Sequence, residues 1–218
     1  MLETSVSNDS GEVSDAIFTL PNIISFIRLL LIPAFFLLLL NGHDIPATVM
    51  FALAAATDWV DGLVARSTNS VSKLGRILDP AVDRLLMIFG VIGLMLVNRL
   101  PVWIMILIFL RDIIMLFGYY AMLKIYRVRV DVIFAGKVAT TLLYIGLAAL
   151  CLNAPLIPGL GICDFAWLPG FTSDPAPWGI WFVYAGVVLG IFTTAYYAII
   201  GLLSCHQVVV KAAAKRQS

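Results

Sequence analysis

The sequence predicts an all-α integral membrane protein of six transmembrane helices, and three observations carry that prediction. Hydrophobic residues make up 61% of the 218 and charged residues 12%, about half the share of a soluble domain. The apolar residues gather in runs long enough to cross a bilayer, for which roughly 20 are needed. Between the runs, lysines and arginines fall almost wholly on alternate connections. The net charge of +1 is itself uninformative, since the placement of the charges matters more, and no nucleic-acid partner is expected.

Residues 1–17 are polar and acidic (Glu3, Asp9, Glu12, Asp15) and hold no Lys or Arg. They lack the positive region of a secretory signal and read as a short cytosolic tail before an uncleaved first helix. Helices follow near 22–41, 46–66, 77–97, 101–123, 134–153 and 179–203, forming one transmembrane domain over 18–205 and leaving a basic tail at 206–218. The connections are short except for 154–178, which is rich in Pro, Gly and Trp. Its Trp167 and Trp178, with Trp181 and Trp103, suit an aromatic belt at the outer interface. No internal repeat or low-complexity linker divides the chain. Cys151, Cys163 and Cys205 have neither metal nor redox spacing. Cys151 and Cys163 could meet on the outer side, but unpaired packing cysteines are the expectation.

With the N-terminus in the cytosol, the inner connections, their flanks and the C-terminal tail hold Lys73, Arg76, Lys124, Arg127, Arg129, Lys137, Lys211, Lys215 and Arg216, and the outer connections hold only Arg99. This asymmetry places both termini in the cytosol of a multi-pass protein of the cell membrane. The C-terminal Lys211, Lys215 and Arg216 suit anionic lipid.

Charged side chains remain within the spans or at their ends: Arg28, Asp58, Asp61, Arg66, Asp79, Asp83, Arg84, Arg111 and Asp112. Each costs about 2.5–3.5 kcal/mol at a helix centre on insertion scales, so they must pair, bind something or face a wet cavity. Asp58 and Asp61 are spaced i, i+3, and Asp79 and Asp83 i, i+4, so each pair shares one helix face. The short connection 67–76 makes the two helices antiparallel neighbours and lets the four carboxylates converge at one depth near the cytosolic surface. Clustered carboxylates repel unless protonated or neutralised, and an all-oxygen set selects hard ions, Mg²⁺ or Mn²⁺. Two such ions would clamp a diphosphate. Gly62 and Ala65 let a helix or ligand approach closely, Gly75 leaves backbone accessible to phosphate, and Arg66 sits where a phosphate contact is useful. The alternative is that the aspartates pair with Arg66, Arg84 and Arg111 as buried salt bridges, or form a proton path. Four carboxylates at helix spacing, with two glycines, favour the metal reading.

The pattern D-x2-D-G-x2-A-R-x8-G-x3-D-x3-D from Asp58 to Asp83 resembles the signature of the CDP-alcohol phosphatidyltransferases at every fixed position and gap. Pro21, Asn22 and Arg28 resemble the first-helix segment of bacterial members, and Arg111-Asp112 and Gly136-Lys137 resemble later blocks. The N-terminal tail and 154–178 lie outside the likeness. The resemblance implies the CDP-alcohol phosphotransferase fold: a six-helix, usually homodimeric enzyme that cleaves a CDP-linked lipid at the cytosolic interface. An acceptor hydroxyl attacks the lipid-side phosphorus and CMP leaves. It further implies that Asp58, Asp61 and Asp79 hold two divalent ions, and that Asp83 helps hold an ion or acts as general base. Asp61, Gly62, Ala65, Arg66 and Gly75 would line the CDP site.

The chain is most similar in motif to phosphatidylglycerophosphate synthases, which use glycerol 3-phosphate, and to CMP-forming cardiolipin synthases, which use phosphatidylglycerol, especially the actinobacterial ones. CDP-diacylglycerol and a polar-headed alcohol are therefore the expected substrates, with an inositol-phosphate acceptor as the alternative. Both favoured acceptors carry a phosphate, for which Arg111, Lys137 and Arg76 are the candidate cations. Arg111 could equally bridge to Asp112 or to another helix. Lys124, Arg127 and Arg129 are read as topology signals. Asn22 and Arg28 either reach the headgroup region or cap and snorkel, and His43 and His206 receive no role. Two rivals remain: an intramembrane prenyltransferase, which would carry two separate aspartate-rich motifs, and a transporter with a buried Asp/Arg relay at several depths.

Overall fold

The computed structural model describes residues 20–68, 75–124 and 134–217, with side chains over 23–57, 80–118, 120 and 134–201. Six helices occupy the six apolar runs: α1 (Leu20–Leu40), α2 (Asp44–Thr68), α3 (Gly75–Leu96), α4 (Val102–Lys124), α5 (Phe134–Leu152) and α6 (Gly179–Gln217). Three stretches among the described residues, Ile23–Leu40, Phe134–Leu152 and Gly179–Gly201, are long and apolar enough to cross a membrane. The shortest helix has 19 residues, about 28 Å of rise, close to the thickness of a hydrocarbon core.

The helix ends near the α1–α2, α3–α4 and α5–α6 connections are closed by the same device. Gly42 takes φ 76°, its N–H bonds to the Leu39 carbonyl, and the His43 N–H bonds to the Leu38 carbonyl. These two bonds satisfy carbonyls that α1 leaves open. Asn98 at φ 57° repeats the motif at the end of α3, with Asn98 and Arg99 donating to Met95 and Leu94. Asn153 at φ 55° makes the simpler version, donating to Ala149. Asparagine serves because its short polar side chain tolerates the left-handed conformation better than most. His43 thus has a backbone role at the cap.

The predicted boundaries hold within a few residues except at the last helix. The sequence places its end near 203, whereas α6 runs to Gln217. Hydropathy falls after 203, but Lys-Ala-Ala-Ala-Lys-Arg is strongly helix-forming, and a helix does not need apolar residues to continue.

α1 packs on α2 and α3, α2 also packs on α5, and α6 packs on α5 and α4. Phe35, Leu39, Phe51, Leu86, Leu94, Leu143, Leu147 and Leu150 are fully buried between them. The α5–α6 contact is close because its residues are small. A Cβ on Gly146 would stand 2.8 Å from the backbone nitrogen of Val183, and one on Gly179 would stand 2.6 Å from the Gly146 carbonyl oxygen. Such near-touching backbones are how apolar helices associate where burial from water supplies no drive.

The connection 154–178 folds back onto the starts of α4 and α6. A two-residue antiparallel pairing joins Leu156–Ile157 to Ala176–Pro177. Tyr184 donates to the Pro169 carbonyl at 2.9 Å, and Trp103 Nε1 donates to the Trp167 carbonyl at 2.6 Å. The four tryptophans expected to form a belt lie together at this end, Trp103 edge-on to Trp167 and Trp178 donating to the Ala154 carbonyl. Cys151 and Cys163 are both free. The side chain of Cys205 and the tail 1–17 lie outside the described residues.

Candidate active site

The aspartate pattern is laid on two antiparallel helices. Asp58 and Asp61 stand on α2, about 15 and 10 Å of rise before its C-terminal end; Asp79 and Asp83 stand on α3, about 6 and 12 Å after its start. The connection between them spans only 69–74, so Asp61 lies near the level of Asp79 and Asp58 near that of Asp83. Pro80 within α3 has no N–H, so the carbonyl of residue 76 loses its usual helical donor beside Asp79. The side chains of Asp58, Asp61, Gly62, Ala65, Arg66, Gly75, Arg76 and Asp79 lie outside the described residues.

Asp83 is described, and it is held. The Tyr144 hydroxyl on α5 donates to Asp83 Oδ1 at 2.6 Å and lies 3.2 Å from the Asp83 carbonyl oxygen. Arg28 of α1 is 1% exposed, and its Nε donates to Thr57 Oγ1 on α2 at 3.3 Å. The snorkelling expected as one role of Arg28 is therefore wrong. Its guanidinium turns inward to the residue preceding Asp58, because α1 is flanked by α2 and α3 on that face. Thr57 in turn stands 3.0 Å from the carbonyls of Leu53 and Ala54.

Next to Asp83 in sequence, Arg84 pairs with Asp112 at 2.5 Å, and Arg111 reaches Asp112 at 3.4 Å. The Arg111–Asp112 pair lies at the level of Arg84, the residue that follows Asp83. The bridge left open for Arg111 exists, and it extends to a second helix. Arg111 is 11% exposed, its Nε is buried without a hydrogen-bond partner, and its chain lies against Gly190 of α6, where a Cβ would stand 3.2 Å from that nitrogen. Lys137 is exposed in the first turn of α5, about 10 Å of rise from Tyr144.

Four carboxylates without thiolate or imidazole form a donor set for hard divalent ions, and the backbone brings their positions to two adjacent levels, which fits that chemistry. Among the described residues, no group of three or more His, Cys, Asp or Glu gathers to hold a metal.

The family model of the CDP-alcohol phosphatidyltransferases matches residues 18–192. The chain belongs to this family. A Mycobacterium tuberculosis protein provisionally named a cardiolipin synthase is 32% identical over 170 residues, 78% of each chain. A second protein of that organism, provisionally named a phosphatidylglycerophosphate synthase, is 33% identical over 165 residues, 70% of this chain and 77% of its own. The CMP-forming cardiolipin synthase of Streptomyces coelicolor is 37% identical over 109 residues, 47% of this chain and 51% of its own. No solved structure matches. The family is membrane-embedded, acts as phosphatidyltransferases and generally depends on divalent metal.

Sequence reasoning missed Tyr144 and Thr57 in this phosphatidyltransferase. One signal was present: a hydroxyl in the middle of an apolar run must find an acceptor, since lipid offers none.

Proposed function

We propose that this phosphatidyltransferase transfers the phosphatidyl group of CDP-diacylglycerol to a glycerol-based phospho-acceptor, glycerol 3-phosphate or phosphatidylglycerol, and releases CMP. The observation that carries the reading is the unbroken aspartate-glycine pattern from Asp58 to Asp83 on antiparallel α2 and α3. Asp58, Asp61, Asp79 and Asp83 would hold two divalent cations, Mg²⁺ or Mn²⁺, which when bound supply charge neutralisation at the diphosphate and the departing CMP. Asp61, Gly62, Ala65, Arg66 and Gly75 line the CDP site. Asp83 takes the proton of the acceptor hydroxyl as that oxygen bonds to the lipid-side phosphorus. The phosphorus–oxygen bond to CMP breaks, and CMP keeps the electron pair. Arg111, Lys137 and Arg76 receive the acceptor's phosphate. Arg111 is best supported, because its cluster holds two guanidiniums for one carboxylate.

In this reading all six helices of the 18–205 domain span the cell membrane, both termini are cytosolic, the site faces the cytosolic interface, and the enzyme works as a homodimer. The test is CMP release from CDP-diacylglycerol by the purified full chain, with glycerol 3-phosphate, phosphatidylglycerol or inositol phosphate offered separately, with and without Mg²⁺ or Mn²⁺. Divalent-dependent release with one of the glycerol acceptors, abolished by Asp79→Asn, is the expected result. Release surviving Asp79→Asn sinks the metal assignment, and release with inositol phosphate alone moves the acceptor.

A further inference from the structure

We infer that Tyr144 is a positioning residue for Asp83, fixing the orientation of the carboxylate that meets the acceptor hydroxyl. This rests on the role given to Asp83 above. The two residues are 61 positions apart, on α3 and α5, and the phenol-to-carboxylate distance is 2.6 Å, the short range of a hydrogen bond to a charged oxygen. The hydroxyl has one proton, and of the two Asp83 oxygens within its reach the nearer, charged one is the stronger acceptor.

The ring is itself held. Its centroid lies 6.1 Å from that of Phe51 on α2, and Phe51 is fully buried with its ring 5.1 Å from Phe35 on α1. The position of the phenol oxygen is thus set by three helices rather than by the rotamer of a free side chain. A tyrosine in an apolar helix could satisfy its hydroxyl on any nearby backbone carbonyl. This one takes the side-chain oxygen of the last aspartate in the pattern. A carboxylate turns about two side-chain bonds, and tethering Oδ1 toward α5 fixes both, so that Oδ2 keeps one direction. A general base must stand within hydrogen-bond reach of the proton it takes, and small misplacements cost rate steeply.

Tyr144→Phe keeps the ring and its packing on Phe51 and removes the donor; Tyr144→Met removes the donor with a flexible side chain of similar reach. Each is compared with Asp83→Asn as purified full chain, using kcat, KM for CDP-diacylglycerol, Mn²⁺ affinity from the paramagnetic resonance signal of free ion without substrate, and the thermal unfolding midpoint. The expected result is the signature of Asp83→Asn in smaller measure. For Tyr144→Phe, kcat falls about 10-fold or more, KM for CDP-diacylglycerol stays within about 2-fold, and Mn²⁺ affinity moves in the same direction as in Asp83→Asn and by less. The midpoint is unchanged, and adding Tyr144→Phe to Asp83→Asn has no further effect. Wild-type kcat in either Tyr144 variant overturns the inference, as does a loss matched by a lowered midpoint or a raised KM. If Asp83→Asn keeps wild-type kcat, the role of Asp83 itself fails, whatever the Tyr144 variants do.

Discussion

Among the described residues two ionic clusters join helices, and they differ in their balance of charge. Near the cap end, Arg99 forks onto both oxygens of Asp44 at 2.8 and 2.9 Å and gives a third bond to the Cys151 carbonyl at 2.8 Å. One cation meets one anion, and that guanidinium ties the end of α3 to the start of α2 and the end of α5. At Arg84, which follows Asp83 in sequence, two guanidiniums share the single carboxylate of Asp112, and the buried Arg111 Nε makes no hydrogen bond. The first cluster is neutral, which suits a fastener. The second, counted over the described residues, keeps a positive charge and a spare donor in a partly buried place, where an anionic group would be strongly held. The difference lies in the balance of charge more than in burial, since Arg99 is 16% and Arg111 11% exposed.

The sharpest way to break this comparison is Asp112→Asn. It strips the carboxylate that Arg84, 52% exposed, and Arg111, 11% exposed, share, and the expected loss is about 2–3 kcal/mol of stability, the range of hydrogen bonds to charged groups, carried by the more buried Arg111. A lowered unfolding midpoint in detergent checks it, and an unchanged midpoint means Asp112 is not what holds Arg84 and Arg111. Arg111→Met tests the other half. It leaves Arg84 and Asp112 as a balanced pair, so the midpoint should hold, while KM for the phosphate-bearing acceptor rises about 10-fold or more and KM for CDP-diacylglycerol does not move. A fall in stability with no change in acceptor KM would make this cluster a fastener like the first.

At the neutral cluster, Arg99→Met should cost about 2 kcal/mol, the range of hydrogen bonds to charged groups, and leave both KM values as they are. A change in acceptor KM there would erase the distinction between the ends. The smallest expected effect is at the cap preceding Arg99. Asn98→Ala forces a left-handed φ on a residue with no compensating polar side chain, for about 1 kcal/mol. A midpoint lowered less than in Arg99→Met, with unchanged kcat, is the result to look for.

How much of this was legible beforehand follows from the range of the forces involved. Six helices were readable because apolar helices are written in composition, whereas the caps at Gly42 and Asn98 became visible only in the backbone. The end of α6 was missed because hydropathy reports on solvent and not on the helix bond. The aspartate pattern was readable because i, i+3 and i, i+4 spacings are local geometry on α2 and α3.

The sequence by itself therefore determined the membrane class, the helices, the family and the acidic motif, all of which depend on neighbours within a few turns. Only the tertiary structure decided which charge meets which. It gave Asp112 to Arg84 on α3, turned Arg28 inward to Thr57, and set Tyr144 of α5 on Asp83. Each of these pairs joins different helices, and their choice depends on the relative rotation and depth of whole helices. No local spacing encodes those quantities, because they settle only when the small and large side chains of several helices pack at once.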